Sequence, residues 1–338
     1  MGSTAEITWH NLQSPNGVKL MSERYAVVGG AGFIGSHFVS ELLGKGNSVL
    51  VVDNFCSGTD KHIAPFKDNS NFELARTNVE DTEELFSLFH GIDTVIHLAS
   101  NPDIAKAVIE PRIYFEQGTA LTESVVEASR RAKVKTVLYA SGSGVYGDAG
   151  ETILVESSPI NPISTYGASK LAGEAILGSY SFMFGLRSIS FRFANVVGGM
   201  QTHGVGYDFI RKLQNDPSSL EILGDGSQSK SYVHVTDIVS GVLRAHSRSS
   251  SLSNVFNIST DDFLSVNDIA HLAIETSGLK PGSVKFEYTG GDRGWKADVP
   301  IVRLSANKLK TLGWEARHTS QSAMKSALFD MHSELEGI

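Results

Sequence analysis

The chain contains a single cysteine, Cys56, among 338 residues. One thiol can form neither an internal disulfide nor a cysteine-based metal site. This excludes secreted domains stabilised by disulfides and folds built around zinc–thiolate sites. This cysteine usage predicts a protein that holds no metal ion and works in a reducing setting, which we expect to be the cytoplasm.

Long hydrophobic runs and an excess of positive charge are also missing. No stretch approaches the roughly 20 apolar residues of a membrane-spanning helix, and the N-terminal segment lacks the basic-then-apolar pattern of a signal peptide. Lys and Arg total 29 and Asp and Glu total 37, for a formal net charge of −8. A mildly acidic chain without a basic run is not typical of proteins that bind nucleic acids or anionic membranes, so we expect neither as a partner.

Apolar residues make up 41% of the chain and charged residues 20%, which is typical of a globular protein with a sizeable core. In the first two thirds, short apolar runs alternate with stretches of helical character. Continuous apolar runs are typical of strands buried on both faces of a parallel sheet, so the sequence predicts an α/β fold with a doubly wound parallel sheet. The predicted strands are 25–30, 48–53, 72–77, 94–100, 136–142 and 186–196, and the predicted helices are 33–44, 82–90, 114–133 and 164–184.

The strand–helix rhythm ends near residue 198, where glycine-rich loops begin to separate shorter elements. We interpret residues 198–338 mainly as a smaller C-terminal α/β lobe that binds substrate and is interleaved with the first domain. Residues 23–197 are the expected first domain, and residues 1–22 are an expected N-terminal extension.

A glycine-rich turn follows the first predicted strand and opens the first predicted helix, which is the context that a dinucleotide-binding loop requires. Gly29 suits a tight turn, Gly32 lets backbone N–H groups approach a pyrophosphate, and Gly35 lets the helix pack closely on the strand. Asp53 ends the next strand, where a carboxylate accepts hydrogen bonds from an adenosine ribose and repels a 2′-phosphate. An ordinary strand–helix turn would account for the glycines alone. The glycines together with Asp53 predict a Rossmann-type domain that binds NAD rather than NADP.

Tyr166 and Lys170 are four residues apart in a predicted helix and therefore share one face. Free tyrosine has a pKa of about 10 and is a poor base at neutral pH. An ammonium group one turn away and a bound nicotinamide cation would favour its phenolate form. Such a tyrosine can take a proton from a sugar hydroxyl while a hydride leaves the same carbon. A core tyrosine followed by an exposed lysine would show the same spacing, but the position after the NAD loop favours catalysis.

A Ser- and Gly-rich segment, residues 141–147, closes the fifth predicted strand. It is expected at the carboxyl edge of the sheet, where ligands bind in such folds. The hydroxyls of Ser141 and Ser143 are therefore candidates to hydrogen-bond a reacting oxygen and pass protons. A turn without any chemistry is the alternative.

These three features together resemble the extended short-chain dehydrogenase/reductase family, and within it the NAD-dependent nucleotide-sugar epimerases and dehydratases, such as the UDP-glucose 4-epimerases. The resemblance extends from about Tyr25 to Trp314. Five further segments match the family: 52–58, 97–99, 192–196, 223–228 and 232–237. The last two resemble the segment that closes over the nucleotide diphosphate in members of the family.

The resemblance implies a role for each candidate residue. Tyr166 would deprotonate the sugar 4-hydroxyl, a hydride would pass from C4 to NAD and return to the other face, and Lys170 would bind the nicotinamide ribose. Residues expected to bind NAD are Gly29, Gly32, Phe33, Ile34 and Gly35 at the pyrophosphate, Asp53, Asn54, Ser57 and Gly58 at the adenosine, Asn78 and Val79 near the adenine, and Leu98, Ala99 and Ser100 beneath the cofactor. Residues expected at the substrate diphosphate are Asn195, Lys230 and Arg293. The cationic side chains of Lys230 and Arg293 suit a phosphate.

The sequence departs from the family pattern at Gly142, where the family carries a catalytic Ser or Thr. Neighbouring side chains of a strand point to opposite faces, so neither Ser141 nor Ser143 directly replaces the missing hydroxyl. Ser143 would reach the site if the chain has already left strand geometry there; otherwise water would substitute, with a low rate. Lys230 is a second departure, since it keeps the charge of the family's Arg but loses the planar fork.

The same segment narrows the reaction. The acids that 4,6-dehydratases place after the catalytic Thr are replaced by Ser143 and Gly144, which disfavours elimination and decarboxylation. The preferred function is therefore 4-epimerisation of a UDP-sugar, either UDP-glucose and UDP-galactose or an N-acetyl analogue, which a small Val302 would admit. The alternatives are another NAD-dependent oxidoreductase or dehydratase of nucleotide sugars, or a binding or regulatory protein with weak catalysis because of Gly142. The resemblance also implies a homodimer through helices 114–133 and 164–184.

Overall fold

The structure is a computed structural model that describes residues 22–101, 108–295 and 298–336. Of the expected N-terminal extension, only Ser22 lies among these residues. The strands are β1 (Arg24–Val28), β2 (Ser48–Asp53), β3 (Phe72–Arg76), β4 (Thr94–His97), β5 (Thr136–Gly142), β6 (Ile153–Leu154), β7 (Arg187–Phe193), β8 (Asn195–Val197), β9 (Ser219–Ile222), β10 (Ser229–Lys230), β11 (Tyr232–His234), β12 (Ser253–Ile258), β13 (Leu264–Ser265), β14 (Lys285–Tyr288) and β15 (Ile301–Leu304). The α-helices are α1 (Phe33–Gly44), α2 (Asp60–Ile63), α3 (Thr82–Leu88), α4 (Leu121–Arg131), α5 (Thr165–Phe184), α6 (Val205–Asn215), α7 (Val235–Arg248), α8 (Val266–Thr276), α9 (Asn307–Lys310) and α10 (Ser320–Glu336).

The main sheet has seven parallel strands in the order β12-β7-β5-β4-β1-β2-β3. Successive residues of its strands alternate between two cores. Val27 and Val51 pack in one core, whereas Val28 and Val52 pack in the other. Both faces of the sheet are buried, which is why β1 and β2 carry apolar residues at consecutive positions rather than at every second one. The predicted α/β fold with a doubly wound parallel sheet is confirmed.

One predicted strand is wrong as a single element. The run 186–196 is divided into β7, which ends at Phe193, and β8, which begins at Asn195. Strand β8 leaves the main sheet and pairs with β11. The sequence did not indicate this break because only Ala194 separates the two strands, and periodicity cannot report a change of pairing partner.

The predicted helix 114–133 is not uniform either. Residues Phe115–Ala120 form a π-helical segment in which Gln117 has φ −94° and ψ 20°, and the regular helix α4 follows it. Such wide turns occur often at functional sites. Apolar spacing gives no signal for them.

Helix α5 carries the predicted Tyr–Lys pair in its first turns. Its start is fixed by Ser164, whose Oγ accepts a hydrogen bond from Gly167 N at 3.0 Å. Its end is fixed by Gly185 at φ 73°, a left-handed conformation that suits glycine. Ordinary capping signals therefore place Tyr166 close to the edge of the main sheet.

Smaller sheets, built mostly from strands beyond residue 198, accompany a third core. A four-stranded sheet has the order β13-β10-β15-β6, and β8 with β11 and β9 with β14 form two further pairs. Helices α6, α8 and α10 pack around the third core. Strand β12 belongs to this later part of the sequence but pairs with β7 in the main sheet. A lobe boundary near residue 198 stays a prediction.

The carboxyl ends of β1, β2, β4 and β5 meet at one edge of the main sheet, since these strands are parallel. The glycine turn, Asp53 and the segment after Ser141 all follow directly from this edge. Within the described residues, no helix combines the length and apolar character needed to cross a bilayer.

Candidate active site

The glycine turn between β1 and α1 is closely packed. Gly29 has φ +84°, and a Cβ there would lie 2.8 Å from the backbone nitrogen of Ala99. A Cβ on Gly35 would lie 2.2 Å from the carbonyl oxygen of Gly29. Gly32 precedes α1 and offers no capping side chain. The first N–H groups of the helix are therefore free of a side-chain cap and suit an anionic group.

Asp53 at the end of β2 organises the adjoining loops. It is 6% exposed, and its Oδ2 accepts a hydrogen bond from Ala31 N at 2.9 Å while its Oδ1 accepts one from Phe55 N at 2.8 Å. A Cβ on Gly58 would lie 3.0 Å from Asp53 Oδ1. A carboxylate has about four lone-pair sites, so these bonds leave capacity for a ribose hydroxyl. The sequence predicted only the hydrogen bond to the ribose and not the bonds to the backbone of the loops.

Other candidates for the adenosine side lie around this carboxylate. Asn54 donates a hydrogen bond to Asn78 Oδ1 at 3.0 Å, and Val79 is buried, whereas Ser57 is exposed. Arg76 was not among the adenosine-site candidates from the sequence. Its guanidinium lies 3.7 Å from the centroid of the Phe55 ring. Arg76 also pairs with Asp60 at 2.5 Å. Its one sequence signal is its place in β3, where it is in register with Asp53.

The segment after β4 completes the cradle. The N–H groups of Leu98 and Ala99 donate to the carbonyl oxygen of Val28 at 2.9 and 3.0 Å. Within the described residues, the hydroxyls of Ser100 and Thr59 are buried and have no hydrogen-bond partner. Buried polar groups are normally satisfied, so orphaned hydroxyls beside a glycine cradle fit a site built for a polar cofactor. Phe33 and Ile34 are half-buried in the first turn of α1.

Tyr166 and Lys170 lie together at the carboxyl edge of β5. Lys170 is 5% exposed, and its Nζ donates to the carbonyl oxygen of Ala140 at 2.9 Å. The same Nζ lies 5.5 Å from the centroid of the Tyr166 ring. Burial raises the pKa of Tyr166 to about 12 and lowers the pKa of Lys170 to about 8, because desolvation disfavours both charged forms. Tyr166 therefore needs additional positive charge nearby to become a base at neutral pH.

Gly142 faces the hydroxyl of this tyrosine. A Cβ at position 142 would lie 3.8 Å from Tyr166 Oη. Ser141 points elsewhere, since its hydroxyl donates to Glu174 Oε1 at 2.5 Å. Ser143 begins a 3-10 turn, Ser143–Val145, so the chain has left strand geometry at that residue. The two serine candidates are thus separated: Ser141 belongs to another network, and Ser143 is half-buried next to the site.

The network that holds Ser141 was missed by the sequence analysis. Arg192 on β7 donates to both carboxylate oxygens of Glu174 on α5, at 2.9 and 2.7 Å. The two side chains are only 3% and 7% exposed. Arg192 also donates to the Tyr146 hydroxyl at 2.9 Å. The available signal was an arginine inside a strand that was predicted to be buried on both faces.

Two of the three diphosphate candidates converge on Asp298. Lys230 donates to Asp298 Oδ1 at 2.8 Å, and Arg293 donates to the Asp298 carbonyl oxygen at 2.5 Å. Arg293 also bonds Asp148 at 2.6 Å. The backbone N–H of Asn195 donates to the carbonyl oxygen of Ser231 at 3.2 Å, so Asn195 is bonded to the residue that follows Lys230. The two aspartates were not expected from the sequence.

The pocket candidate Val302 is 8% exposed and pairs with Lys230 in the sheet of β10 and β15. It lies in the main core cluster. No group of three or more His, Cys, Asp or Glu side chains within the described ranges is arranged to hold a metal ion.

A tyrosine and a lysine one helical turn apart, beside a dinucleotide cradle at the edge of a parallel sheet, define an enzyme of the short-chain dehydrogenase/reductase class. Residues 25–259 match the NAD dependent epimerase/dehydratase family, and the chain belongs to this family. Its cofactor is NAD, and the residues of the cradle fit that cofactor.

Known proteins similar to the chain extend over most of its length. A putative UDP-glucose 4-epimerase of Methanocaldococcus jannaschii is 30% identical over 294 residues, which are 86% of this chain and 92% of the relative. A crystal structure of a UDP-galactose 4-epimerase is 37% identical with a TM-score of 0.82, covering 92% of this chain and 99% of that one. A Thermus thermophilus UDP-glucose 4-epimerase in complex with NAD is 28% identical with a TM-score of 0.81, covering 91% and 98%.

Proposed function

We propose that this enzyme catalyses the NAD-dependent 4-epimerisation of a UDP-sugar, with UDP-glucose and UDP-galactose or their N-acetyl analogues as substrates. The observation that carries the proposal is the pair of a half-buried Tyr166 and a buried Lys170 beside a segment without acidic residues at positions 143 and 144. A 4-epimerase needs a base and a hydride acceptor but no acid to expel a hydroxyl. The similarity to UDP-glucose and UDP-galactose 4-epimerases supports this choice.

The chain's own residues would move the proton. NAD, when bound, would supply the acceptor and then the donor of the hydride at the same sugar carbon. As the hydride leaves C4, the Tyr166 phenolate takes the proton of the 4-hydroxyl and a carbonyl forms. When the hydride returns to the opposite face, Tyr166 gives the proton back, so the net reaction is an isomerisation.

Lys170 would make this tyrosine a usable base. Its charge close to the ring favours the phenolate, and the hydrogen bond to Ala140 O fixes its ammonium group. Because burial raises the pKa of Tyr166 to about 12, the positive charges of Lys170 and of the oxidised nicotinamide would both be required to form the phenolate at neutral pH. Proton removal is thereby coupled to the presence of the cofactor.

NAD would be held mainly by backbone groups and small side chains. The turn at Gly29, Gly32 and Gly35 would receive the pyrophosphate with Phe33 and Ile34, and Asp53 would receive the adenosine ribose. The remaining proposed contacts are Asn54, Ser57, Gly58, Asn78, Val79, Leu98, Ala99 and Ser100.

The substrate diphosphate would be bound by Lys230 and Arg293, with Asn195 nearby. Both cations already lie on Asp298, so the aspartate would fix their positions before the substrate arrives. A diphosphate carries more charge than one carboxylate and would compete for the same donors. A single Lys in place of Arg gives fewer directed hydrogen bonds, which favours modest affinity.

We further propose that the enzyme is a homodimer that works in the cytoplasm. Helix α5 ends in the exposed side chains of Phe182, Met183 and Phe184, which supports an apolar contact there. The one cysteine, Cys56, is exposed and free, which suits a reducing setting.

The function is tested by proton NMR of the purified protein in D2O with UDP-glucose, UDP-galactose and their N-acetyl analogues. The expected result is the 4-epimer without deuterium at C4, because the hydride stays on the bound cofactor. Tyr166→Phe should lower turnover by a factor on the order of 100 or more while the NAD content stays unchanged.

Two outcomes would overturn the proposal. Deuterium at C5 or C6, or a keto product, would indicate dehydration or another oxidoreduction of the nucleotide sugar. Binding of NAD and UDP-sugars without any turnover would indicate a regulator in which Gly142 has removed catalysis.

A further inference from the structure

A buried histidine lies beside the glycine turn and is not among the proposed NAD contacts. His62, in the short helix α2, is 5% exposed. Its Nδ1 lies 2.9 Å from the carbonyl oxygen of Ala31, the residue between Gly30 and Gly32 in the turn. A carbonyl oxygen only accepts hydrogen bonds, so Nδ1 carries the proton and donates it. Helix α2 is therefore bonded directly to the turn that precedes α1.

The peptide group between Ala31 and Gly32 is held at both of its polar atoms. The carbonyl oxygen of Ala31 accepts a second hydrogen bond from Thr59 N at 3.1 Å, and the N–H of Gly32 donates to Gly29 O at 3.3 Å. A carbonyl oxygen has two lone pairs, so the bonds from His62 and Thr59 can coexist. The orientation of this peptide group is thus fixed by the turn itself and by the segment that forms α2.

This peptide group sets the direction in which α1 begins. Gly32 directly precedes the first helical residue, Phe33, and its carbonyl oxygen accepts the first helical bond, from Ser36 N at 3.0 Å. A peptide group is planar, so a rotation of the Ala31 carbonyl also rotates the N–H of Gly32 and shifts the residues that follow. The N–H groups of Phe33 and Ile34 are at the start of the helix, where an anion is favoured. Holding the carbonyl therefore holds the groups that would bind the pyrophosphate.

The bond from His62 also fixes a segment with little regular structure of its own. Helix α2 is a single turn of four residues, and a first helical turn is unfavourable without outside contacts. Two such contacts are Ile63, which is fully buried, and Gly58, where a Cβ would lie 2.9 Å from the Ala31 Cβ. This segment is thus packed against the turn, and His62 adds a directed bond to that packing.

We propose that His62 is a positioning residue for NAD, which holds the Ala31 carbonyl oxygen through Nδ1–H and thereby keeps the start of α1 in the orientation that binds the pyrophosphate. In this role His62 acts on the cofactor only through the turn. The role depends on NAD lying on the glycine turn and not on which sugar nucleotide is the substrate. The alternative is a histidine that only fills space between α2 and the turn.

Three substitutions at residue 62 separate the donor from the shape of the side chain. In His62→Asn, the amide nitrogen is attached to Cγ, as Nδ1 is in histidine, so the donor is kept at the same place. His62→Asp has nearly the same shape as His62→Asn, but an ionised carboxylate only accepts hydrogen bonds. His62→Leu fills similar space without any polar atom.

The measurement is the rate at which NAD leaves the purified holoenzyme. Released NAD is trapped by excess ethanol and alcohol dehydrogenase and followed by the absorbance of NADH. We expect His62→Leu to release NAD about three- to tenfold faster, which is the usual effect of losing one hydrogen bond. His62→Asp should release it at least as fast, because a carboxylate would face the Ala31 carbonyl oxygen. His62→Asn should stay within about twofold of the wild type.

His90→Leu is the matched control. His90 Nδ1 also bonds a backbone carbonyl oxygen, that of Ser87 at 3.2 Å, but it does so on the surface just beyond α3. Its loss should leave the release of NAD unchanged. An effect as large as that of His62→Leu would contradict a bond specific to the turn.

Two further outcomes would overturn the proposal. Release at the wild-type rate in His62→Leu would show that the bond does not hold the cofactor turn. Equal acceleration in His62→Asn and His62→Leu would show that His62 only fills space.

These rates are measured without a sugar substrate, so they decide the role of His62 even if none of the UDP-sugars is turned over. Where turnover is observed, excess NAD should bring the kcat of His62→Leu back to that of the wild type. A loss of kcat that excess NAD does not restore would contradict a role limited to the cofactor.

Discussion

Lys170 is a buried cation whose charge is opposed by its surroundings. Burial lowers its pKa to about 8, whereas a lysine in an unfolded chain titrates near about 10.4. Between these values the unfolded chain binds more protons than the folded one, so the free energy of unfolding rises with pH across this window. Lys170, which we propose to tune Tyr166, therefore destabilises the fold below about pH 8 relative to higher pH.

This shift predicts a pH-dependent cost for Lys170. In the NAD-free protein, the free energy of unfolding of the wild type should increase relative to Lys170→Met by about 1–3 kcal/mol between about pH 8 and 10. Denaturant titrations of both proteins at several pH values measure the difference. Parallel curves for the two proteins would contradict a depressed lysine pKa.

Gly35 and Gly44 belong to the same helix but differ in the space around them. A Cβ on Gly35 would lie 2.2 Å from Gly29 O, whereas a Cβ on Gly44 meets nothing within 4 Å. The requirement for glycine at residue 35 is therefore steric and is set by the close approach of α1 to the turn.

We expect Gly35→Ala to displace the turn and to lower the NAD content of the purified protein by at least tenfold. Gly44→Ala is the matched control and should retain NAD, with stability unchanged or higher by up to about 1 kcal/mol because alanine favours helix. Cofactor released by denaturation and thermal unfolding measure the two effects. Equal NAD content in both variants would refute the steric role of Gly35.

At the scale of elements, the buried Arg192–Glu174 pair joins helix α5 to strand β7. Ser141 extends the same network to β5, and Tyr146 extends it to the loop after β5. Glu174 lies one turn beyond Lys170 in α5. The helix that carries the candidate catalytic groups is thus tied to the strand that carries Gly142.

Removing one partner of the Arg192–Glu174 pair should destabilise the fold more than removing both. Arg192→Leu should destabilise the protein by about 3–5 kcal/mol, because it leaves Glu174 as an unpaired buried charge. The double variant Arg192→Leu, Glu174→Leu should be less destabilised than the single one. Denaturant unfolding measures both, and a double variant at least as unstable as the sum of the two single variants would contradict an isolated charge as the cause.

At the scale of the whole molecule, apolar side chains remain uncovered at the end of α5. Phe182 is 92% exposed and Met183 is 68% exposed. Phe115, in the π-helical segment before α4, is 59% exposed. Exposed large apolar side chains of this kind are typical of interaction sites, and the proposed homodimer would cover them.

Phe182→Glu should convert the dimer to a monomer by placing a charge in the proposed interface. Phe329→Glu, at a 65% exposed phenylalanine on α10, is the control and should leave the assembly unchanged. Light scattering coupled to size-exclusion chromatography measures the mass. A monomeric wild type, or a dimeric Phe182→Glu protein, would refute the proposed interface.

The sequence by itself determined the fold class, the cofactor and the family. These depend on local patterns: apolar strands buried on both faces, the glycine turn before α1 and Asp53 after the next strand. The tyrosine–lysine spacing was equally local, because one helical turn fixes the relation of Tyr166 to Lys170. Each of these signals lies within a single element or at the junction of two, so composition and spacing were sufficient.

Only the tertiary structure decided which groups surround the reactive tyrosine. The separation of Ser141 from Tyr166 and the use of Asp298 to hold Lys230 both depend on residues that lie far apart in the sequence. The break at Ala194 likewise depended on a strand partner far along the chain. Sequence periodicity records whether a side chain is buried but not what it is buried against, and the packing of parallel strands supplies that missing information.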